Sequence, residues 1–154
     1  MARETPATRA ARAAGIDFAL HEYDHDPRAE AYGMEAAEAL GLDPARVFKT
    51  LVVDVSGQLT VCLIPAAAQL DTRSLGKRVA LAPTKRAESV TGYVAGGISP
   101  LGQRRALPTL IDSSAAEHAT IYVSAGRRGL EIELSPGDLQ RLTGATLRAL
   151  RSEG

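Results

Sequence analysis

One cysteine, no tryptophan and six aromatic residues, four Tyr and two Phe, occur in these 154 positions, and the formal net charge is zero. Each scarcity excludes something. Cys62 stands alone, so the chain closes no intrachain disulfide and offers no multi-cysteine zinc site; its neighbours Val61 and Leu63 mark it as core packing. The apolar runs fall far short of the ~20 residues that a membrane helix needs, and Met1 to Arg12 is polar and Arg-rich without a hydrophobic segment. No membrane association is expected, and cytoplasmic residence is. Zero net charge argues against unaided binding to long nucleic acid, whose affinity rests on the number of phosphates neutralised, so DNA is not an expected partner. A short or partner-delivered nucleic acid stays open.

Familiar catalytic patterns are also missing. There is no GxGxxG, and Gly76-Lys77 lacks the Walker spacing behind it, so nothing calls for a nucleotide or dinucleotide cofactor, and none is expected. Ser99 does not sit in the spacing of a nucleophile elbow, and Pro100 after it has no N–H to contribute to an oxyanion hole. His21, Tyr23 and His25 alternate along an extended stretch with Asp24 and Asp26 on the opposite side. Two histidines fall short of the three convergent ligands a metal needs, and no metal is expected.

What is present is ordinary globular composition, 45% hydrophobic and 23% charged, with two unusual features. A chain of this size buries roughly 68 to 70% of its unfolded surface, enough for one real core. Lysine is rare, yet Lys49 follows Val47 and Phe48 and precedes Thr50, Leu51, Val52 and Val53, at the mouth of an apolar strand. A compact ammonium there is a point charge suited to a phosphate or a polarised carbonyl. Farther along, Gly92 to Gly102 forms a glycine-rich loop closed by Pro100. Gly96 and Gly97 let the backbone approach a ligand closely, and the N–H groups of Gly96, Gly97, Ile98 and Ser99 can aim at one acceptor. Charge is uneven too. Residues 17–54 are rich in carboxylates, whereas Arg73, Lys77, Arg78, Lys85, Arg86, Arg104 and Arg105 flank the glycine loop, as an anionic ligand would require.

The element pattern is mixed α/β in one domain. Thr5 caps a helix with Pro6 at its first position, running to Ala14 and stopped by Gly15. Asp17 to Tyr23 reads as a strand, Ala29 to Leu40 as a helix, and Asp43-Pro44 as the opening of a short turn or helix leading to Phe48. Thr50 to Val55 and Leu59 to Pro65 read as a hairpin about Ser56-Gly57-Gln58. Asp71 opens a helical stretch, and Pro83 a helix ending near Gly92. Strands follow at Leu107 to Asp112, Thr120 to Ser124 and Leu130 to Leu134, the last two turned by Ala125 to Gly129. Asp138 to Leu142 is a short helix, and Thr146 to Leu150 a strand or helix.

Three strings carry a resemblance: VFKTLVV at Val47 to Val53, TGYVAGGISPLGQ at Thr91 to Gln103, and TIYVSAGRRGLEIEL at Thr120 to Leu134. With the HEYDHDP stretch at His21 to Pro27, they resemble the YbaK/EbsC-type Cys-tRNA(Pro) deacylases, freestanding relatives of the editing domain inserted in bacterial prolyl-tRNA synthetase. The likeness runs from Thr5 almost to the C-terminus. It implies one editing domain over residues 1–154, with a mixed, partly barrel-like β-sheet surrounded by helices. By the same resemblance Lys49 is the essential lysine, with Gly96 and Gly97 of the GxxxP loop beside it in catalysis. Tyr23, Thr50, Ile98, Ser99, Pro100, Ser124 and Glu131 contact substrate. Ala125 departs from the family's YVSGG, Glu131 stands where relatives often carry aspartate, and the segment from Gln69 to Thr91 is shorter than theirs.

The implied activity is trans-editing. Cysteine mischarged on tRNA(Pro) is released when its own thiol attacks an ester held by the loop, with no cofactor and with prolyl-tRNA synthetase as a partner. Two alternatives stay open: a deacylase for another small amino acid such as alanine, using water, and a module that binds aminoacyl ends or nucleotides without turnover.

Overall fold

Thr5 opens the first helix by a reciprocal exchange that its spacing to Thr8 allows. Its hydroxyl accepts from the Thr8 N–H at 3.1 Å while Thr8 Oγ1 accepts from the Thr5 N–H at 2.9 Å, which satisfies two of the donors that a helix start leaves unpaired. This is α1, Pro6–Ala14, and it buries Ala7, Thr8 and Ala11. The structure, a computed structural model, describes residues 3–26, 28 and 32–152.

The other helices are α2 Tyr32–Leu40, α3 Thr84–Thr91 and α4 Pro136–Thr143; the strands are β1 Ala19–Glu22, β2 Phe48–Val55, β3 Gln58–Pro65, β4 Val79–Leu81, β5 Thr109–Asp112, β6 Ile121–Arg127, β7 Leu130–Leu134 and β8 Thr146–Arg148. The first three residues expected in α2, Ala29 to Ala31, and Pro27 of the HEYDHDP stretch lie outside the described residues. The strands form a three-stranded antiparallel sheet, β1-β7-β6, and a five-stranded mixed sheet, β4-β2-β3-β5-β8. One parallel bridge between Val47 and Tyr122 joins them, so the expected mixed sheet is built in two parts. The main core, with Phe48, Leu63, Ile111, Ile121, Val123, Ile132 and Leu139 among its members, lies between the two sheets and receives α1.

Local differences from the sequence reading have physical reasons. Lys49 lies inside β2 rather than at its mouth, because Phe48 already pairs with Pro65. The β2–β3 hairpin needs only Ser56 and Gly57, both at positive φ (52° and 95°), with Gln58 inside the strand; such primed turns match strand twist. Past Asp71 the helical stretch shrinks to one 3-10 turn, Thr72–Ser74, and the short edge strand β4 replaces its continuation. β6 runs on to Arg127 through an irregularity after Ser124, leaving only Arg128 and Gly129 to turn it into β7. At the C-terminal end, Leu110 to Asp112 recruit Thr146 to Arg148 as a parallel strand.

Candidate active site

The Val47–Tyr122 bridge decides where a site can form. Side chains alternate along strands, so Lys49 and Ser124, each two residues beyond the bridge on β2 and β6, emerge on a common side where the sheets part. A cavity of about 260 Å³ opens there, lined by Tyr23, Tyr32, Gly33, Met34, Phe48, Lys49, Thr50, Leu51, Ala66, Gly96, Ile98, Ser124 and Glu131. The structure therefore brings together seven of the residues singled out from sequence: Tyr23, Lys49, Thr50, Gly96, Ile98, Ser124 and Glu131. Gly97, Ser99 and Pro100 do not line it.

Those three are occupied otherwise. Gly97 is buried against the β6–β7 turn, where an added Cβ would sit 2.7 Å from Arg127 Cα and 2.8 Å from the Arg128 nitrogen. Its N–H donates to the Val94 carbonyl at 2.9 Å. The expected cradle of four successive donors is thus reduced, because one of them closes the loop on itself. Ser99 is fully buried; its hydroxyl accepts from the Leu101 N–H and its carbonyl from Gln103 Nε2. Pro100 is buried beside it. Gly96, at φ +90°, makes the turn that brings the loop to the cavity. Among the described residues the N–H groups of Gly96 and Ile98 have no protein acceptor.

Burial sets the electrostatics. The Lys49 ammonium is half-buried and its pKa is lowered by that burial alone. Glu131 is 7% exposed, and burial pushes its carboxyl up to about 8. Neither shift owes anything to the other group, so ammonium and carboxyl are not an ion pair. Glu131 is mainly protonated at neutral pH and able to donate a hydrogen bond. The Tyr23 phenol is raised to about 12, by burial first and then by the Glu131 charge, and stays neutral. Thr50 Oγ1 is buried with no partner among the described residues, a state that buried hydroxyls seldom keep. Ser124 Oγ accepts from the Gly126 N–H at 3.2 Å, and no histidine lines the cavity. The set can polarise one acceptor oxygen with a cation and backbone donors, while neutral donors surround it. It holds no serine–histidine pair.

The histidine stretch serves the neighbouring face. His21 Nε2 lies 2.9 Å from Glu133 Oε1, and Glu133 also accepts from Thr120 at 2.6 Å and faces Arg46 at 3.7 Å. These contacts tie β1 and β7 to the turn before β2. Among the described residues no group of three His, Cys, Asp or Glu side chains is placed to hold a metal.

Cavity residues not expected from sequence are Tyr32, Gly33, Met34, Phe48, Leu51 and Ala66. One signal for them was readable. A glycine second in a helix often marks close approach, and a Cβ on Gly33 would meet the Ala66 Cβ at 3.0 Å and the Lys49 Cβ at 3.5 Å.

Comparison with known proteins places the chain. A family model described as an aminoacyl-tRNA editing domain matches residues 27–142. A protein of Enterococcus faecalis with the provisional name Cys-tRNA(Pro)/Cys-tRNA(Cys) deacylase EbsC is 40% identical over 114 residues, 70% of this chain and 69% of that protein. Among solved structures, the hypothetical protein APE2540 superposes with a TM-score of 0.82 at 25% identity, over 96% of this chain and 100% of that one. A protein described provisionally as a trans-editing enzyme for prolyl-tRNA synthetase superposes with a TM-score of 0.79 at 23% identity, over 97% and 99%. The latter likeness carries the fold.

Proposed function

This chain belongs to the aminoacyl-tRNA editing domain family, and from that premise we propose that it is an aminoacyl-tRNA deacylase that clears cysteine mischarged on tRNA(Pro). The observation that carries the reading is Lys49, a half-buried ammonium without a carboxylate partner among the described residues, facing one cavity with the Gly96 and Ile98 backbone. A cation and N–H groups fixed before substrate arrives stabilise charge that develops on an ester carbonyl, and removal of one such donor costs roughly 10² to 10³ in rate.

The missing nucleophile suits a substrate that brings its own. The cysteinyl thiol sulfur attacks the ester carbonyl carbon, a carbon–sulfur bond forms, the bond to the ribose oxygen breaks, and the thiol proton goes to that departing oxygen. Free tRNA and a cyclised cysteine, open to hydrolysis, result. Intramolecular attack reaches effective molarities of ~10⁵ to 10⁸ M when the geometry is right, so holding the ester supplies most of the acceleration. Lys49 and the loop hold the carbonyl end; Tyr23, Thr50, Ser124 and Glu131 surround the aminoacyl group. The whole of residues 1–154 acts as one editing domain, in the cytoplasm.

Charge supports a direction of approach for the RNA. Lys85, Arg86, Arg104 and Arg105 are exposed beside the glycine loop, and the Arg104 and Arg105 N–H groups bond the Thr91 and Val90 carbonyls at the end of α3. Asp24, Asp26 and Glu38 are exposed on the side of the HEYDHDP stretch and α2. The acceptor arm crosses the basic side, and prolyl-tRNA synthetase, as a partner, supplies the affinity that a neutral chain lacks.

The test is single-turnover deacylation of Cys-tRNA(Pro), Ala-tRNA(Pro), Ser-tRNA(Pro) and Cys-tRNA(Cys), with Lys49→Met in parallel. Rapid loss of cysteinyl esters only, slowed about 10² to 10³-fold by the substitution, is expected. Loss of the alanyl ester would replace thiol assistance by water attack. Persistence of every ester would leave a binding module instead.

A further inference from the structure

The outer wall of the cavity is held by a cluster that the proposed reaction does not use. Tyr32, the first residue of α2, lines the cavity and is 38% exposed. Arg128, in the β6–β7 turn, lays its guanidinium over that ring with Cζ 4.4 Å from the centroid. Arg128 Nη2 lies 3.5 Å from Glu35 Oε1, and the two side chains are only 18% and 13% exposed. The same nitrogen donates to the Asp26 carbonyl. Glu35 Oε2 in turn accepts from the Asp26 N–H at 2.6 Å. On the inner side, a Cβ on Gly96 would come within 3.3 Å of both Arg128 Cδ and the Tyr32 ring.

The Arg128 side chain, in the β6–β7 turn, thus meets Asp26, α2 and the glycine loop. The arrangement is suited to Arg rather than Lys, since a planar guanidinium can lie flat on an aromatic face while its N–H groups reach acceptors at its edge, a geometry that a compact ammonium does not reproduce. Among the described residues, the Tyr32 ring is held by the Arg128 guanidinium and by the glycine loop at Gly96.

We propose that Arg128 is a positioning residue whose clasp on Tyr32 and Glu35 fixes the width of the cavity's outer wall and so selects which aminoacyl esters enter. The substrate class rests on the editing reading above; the clasp does not. An apolar pocket discriminates by about 10 to 200-fold per methylene, and it does so only while its wall cannot yield. A loosened Tyr32 would admit longer side chains.

The experiment compares wild type with Arg128→Lys, Arg128→Met and Tyr32→Leu. It reads single-turnover deacylation of cysteinyl and homocysteinyl esters on the same tRNA(Pro), which both carry a thiol and differ by one methylene, together with amide hydrogen exchange of residues 32–40. Expected is a rise in the homocysteinyl-to-cysteinyl rate ratio of about tenfold or more for Arg128→Met and Tyr32→Leu, with a smaller rise for Arg128→Lys. Faster exchange in α2, with β2 and β3 unchanged, should accompany it in the Arg128 variants. Parallel loss of both esters, or a ratio that stays within twofold in every variant, overturns the proposal. If wild type cleaves neither ester, the editing reading fails by itself, and unchanged α2 exchange in Arg128→Met then overturns the clasp. Should Arg128→Met not fold, Arg128→Lys and Tyr32→Leu decide on the same readouts.

Discussion

Replacing Glu131 by glutamine should stabilise the protein increasingly as pH rises. A carboxyl whose pKa moves from 4.5 to about 8 on folding holds its proton in the folded state over a window in which the unfolded chain has lost it. Stability is therefore highest below the unfolded value and falls between roughly pH 4.5 and pH 8. At ~1.36 kcal/mol per unit the full loss is about 5 kcal/mol, of which about 3 has accrued by pH 7. For a chain of this size each kcal/mol moves Tm by about 2 to 4 °C. Glutamine removes the titration and keeps the shape, so the variant's Tm should exceed that of wild type by roughly 10 to 20 °C at pH 8 and converge with it toward pH 5. Its amide must still be satisfied in the same buried place, which offsets the whole curve without changing its slope. Four other shifted groups stay outside the window: Cys62 and Tyr23 are raised to about 11 and about 12, and Asp112 and Glu133 are lowered. Calorimetric melts of both proteins at half-unit pH intervals suffice. Parallel Tm curves between pH 5 and 8, or a wild type that gains stability across that window, would refute the reasoning.

Two further outcomes follow from the same geometry. Gly97→Ala should lower stability by about 1 to 3 kcal/mol through overpacking, because its Cβ has only backbone to displace; Gly137→Ala, with nothing within 4 Å, is the control, and equal melting temperatures would refute the packing account. Arg104→Glu with Arg105→Glu should raise KM for aminoacyl-tRNA and flatten its salt dependence by roughly one logarithmic unit for each phosphate no longer neutralised. Turnover of a short aminoacyl-CCA fragment should be unchanged, and an equal effect on both substrates would remove the proposed RNA path.

The sequence was most legible where one short-range rule acts alone. Thr5, Pro6 and Gly15 delimit α1 because capping, ring constraint and helix termination are local. The same holds for the β2–β3 hairpin. Legibility failed where pairing is long-range: β4 is a strand only because Val79 to Leu81 find Val53 to Val55, and nothing in Arg78 to Ala82 announces that. In the cavity, the polar residues were readable as chemistry and through the family resemblance. The walls were not, since Met34, Phe48 and Ala66 look like any core residues until α2 is laid across β2. Gly97 illustrates a subtler limit. Two adjacent glycines read as two ligand-facing donors, whereas one makes the turn and the other admits the Arg127 backbone.

The unpaired state of Lys49 and Glu131 bears on why both can share one cavity. Had Glu131 been ionised at neutral pH, a buried anion would demand a cation, and Lys49 is the one that lines the same space. An ion pair would then satisfy both groups and leave little field for a substrate. Burial deep enough to hold the proton on Glu131 removes that competitor, so the ammonium remains available to an incoming carbonyl or phosphate. The requirement explains why depth of burial, rather than a hydrogen-bond partner, is the cause behind both shifts. It also sets a limit on the pocket's working range: above about pH 8 the carboxylate appears and puts a negative charge in the wall of the cavity where charge would develop on the ester oxygen. In the proposed reaction, affinity for the ester should therefore weaken across that pH in wild type and hold steady in the Glu131→Gln variant.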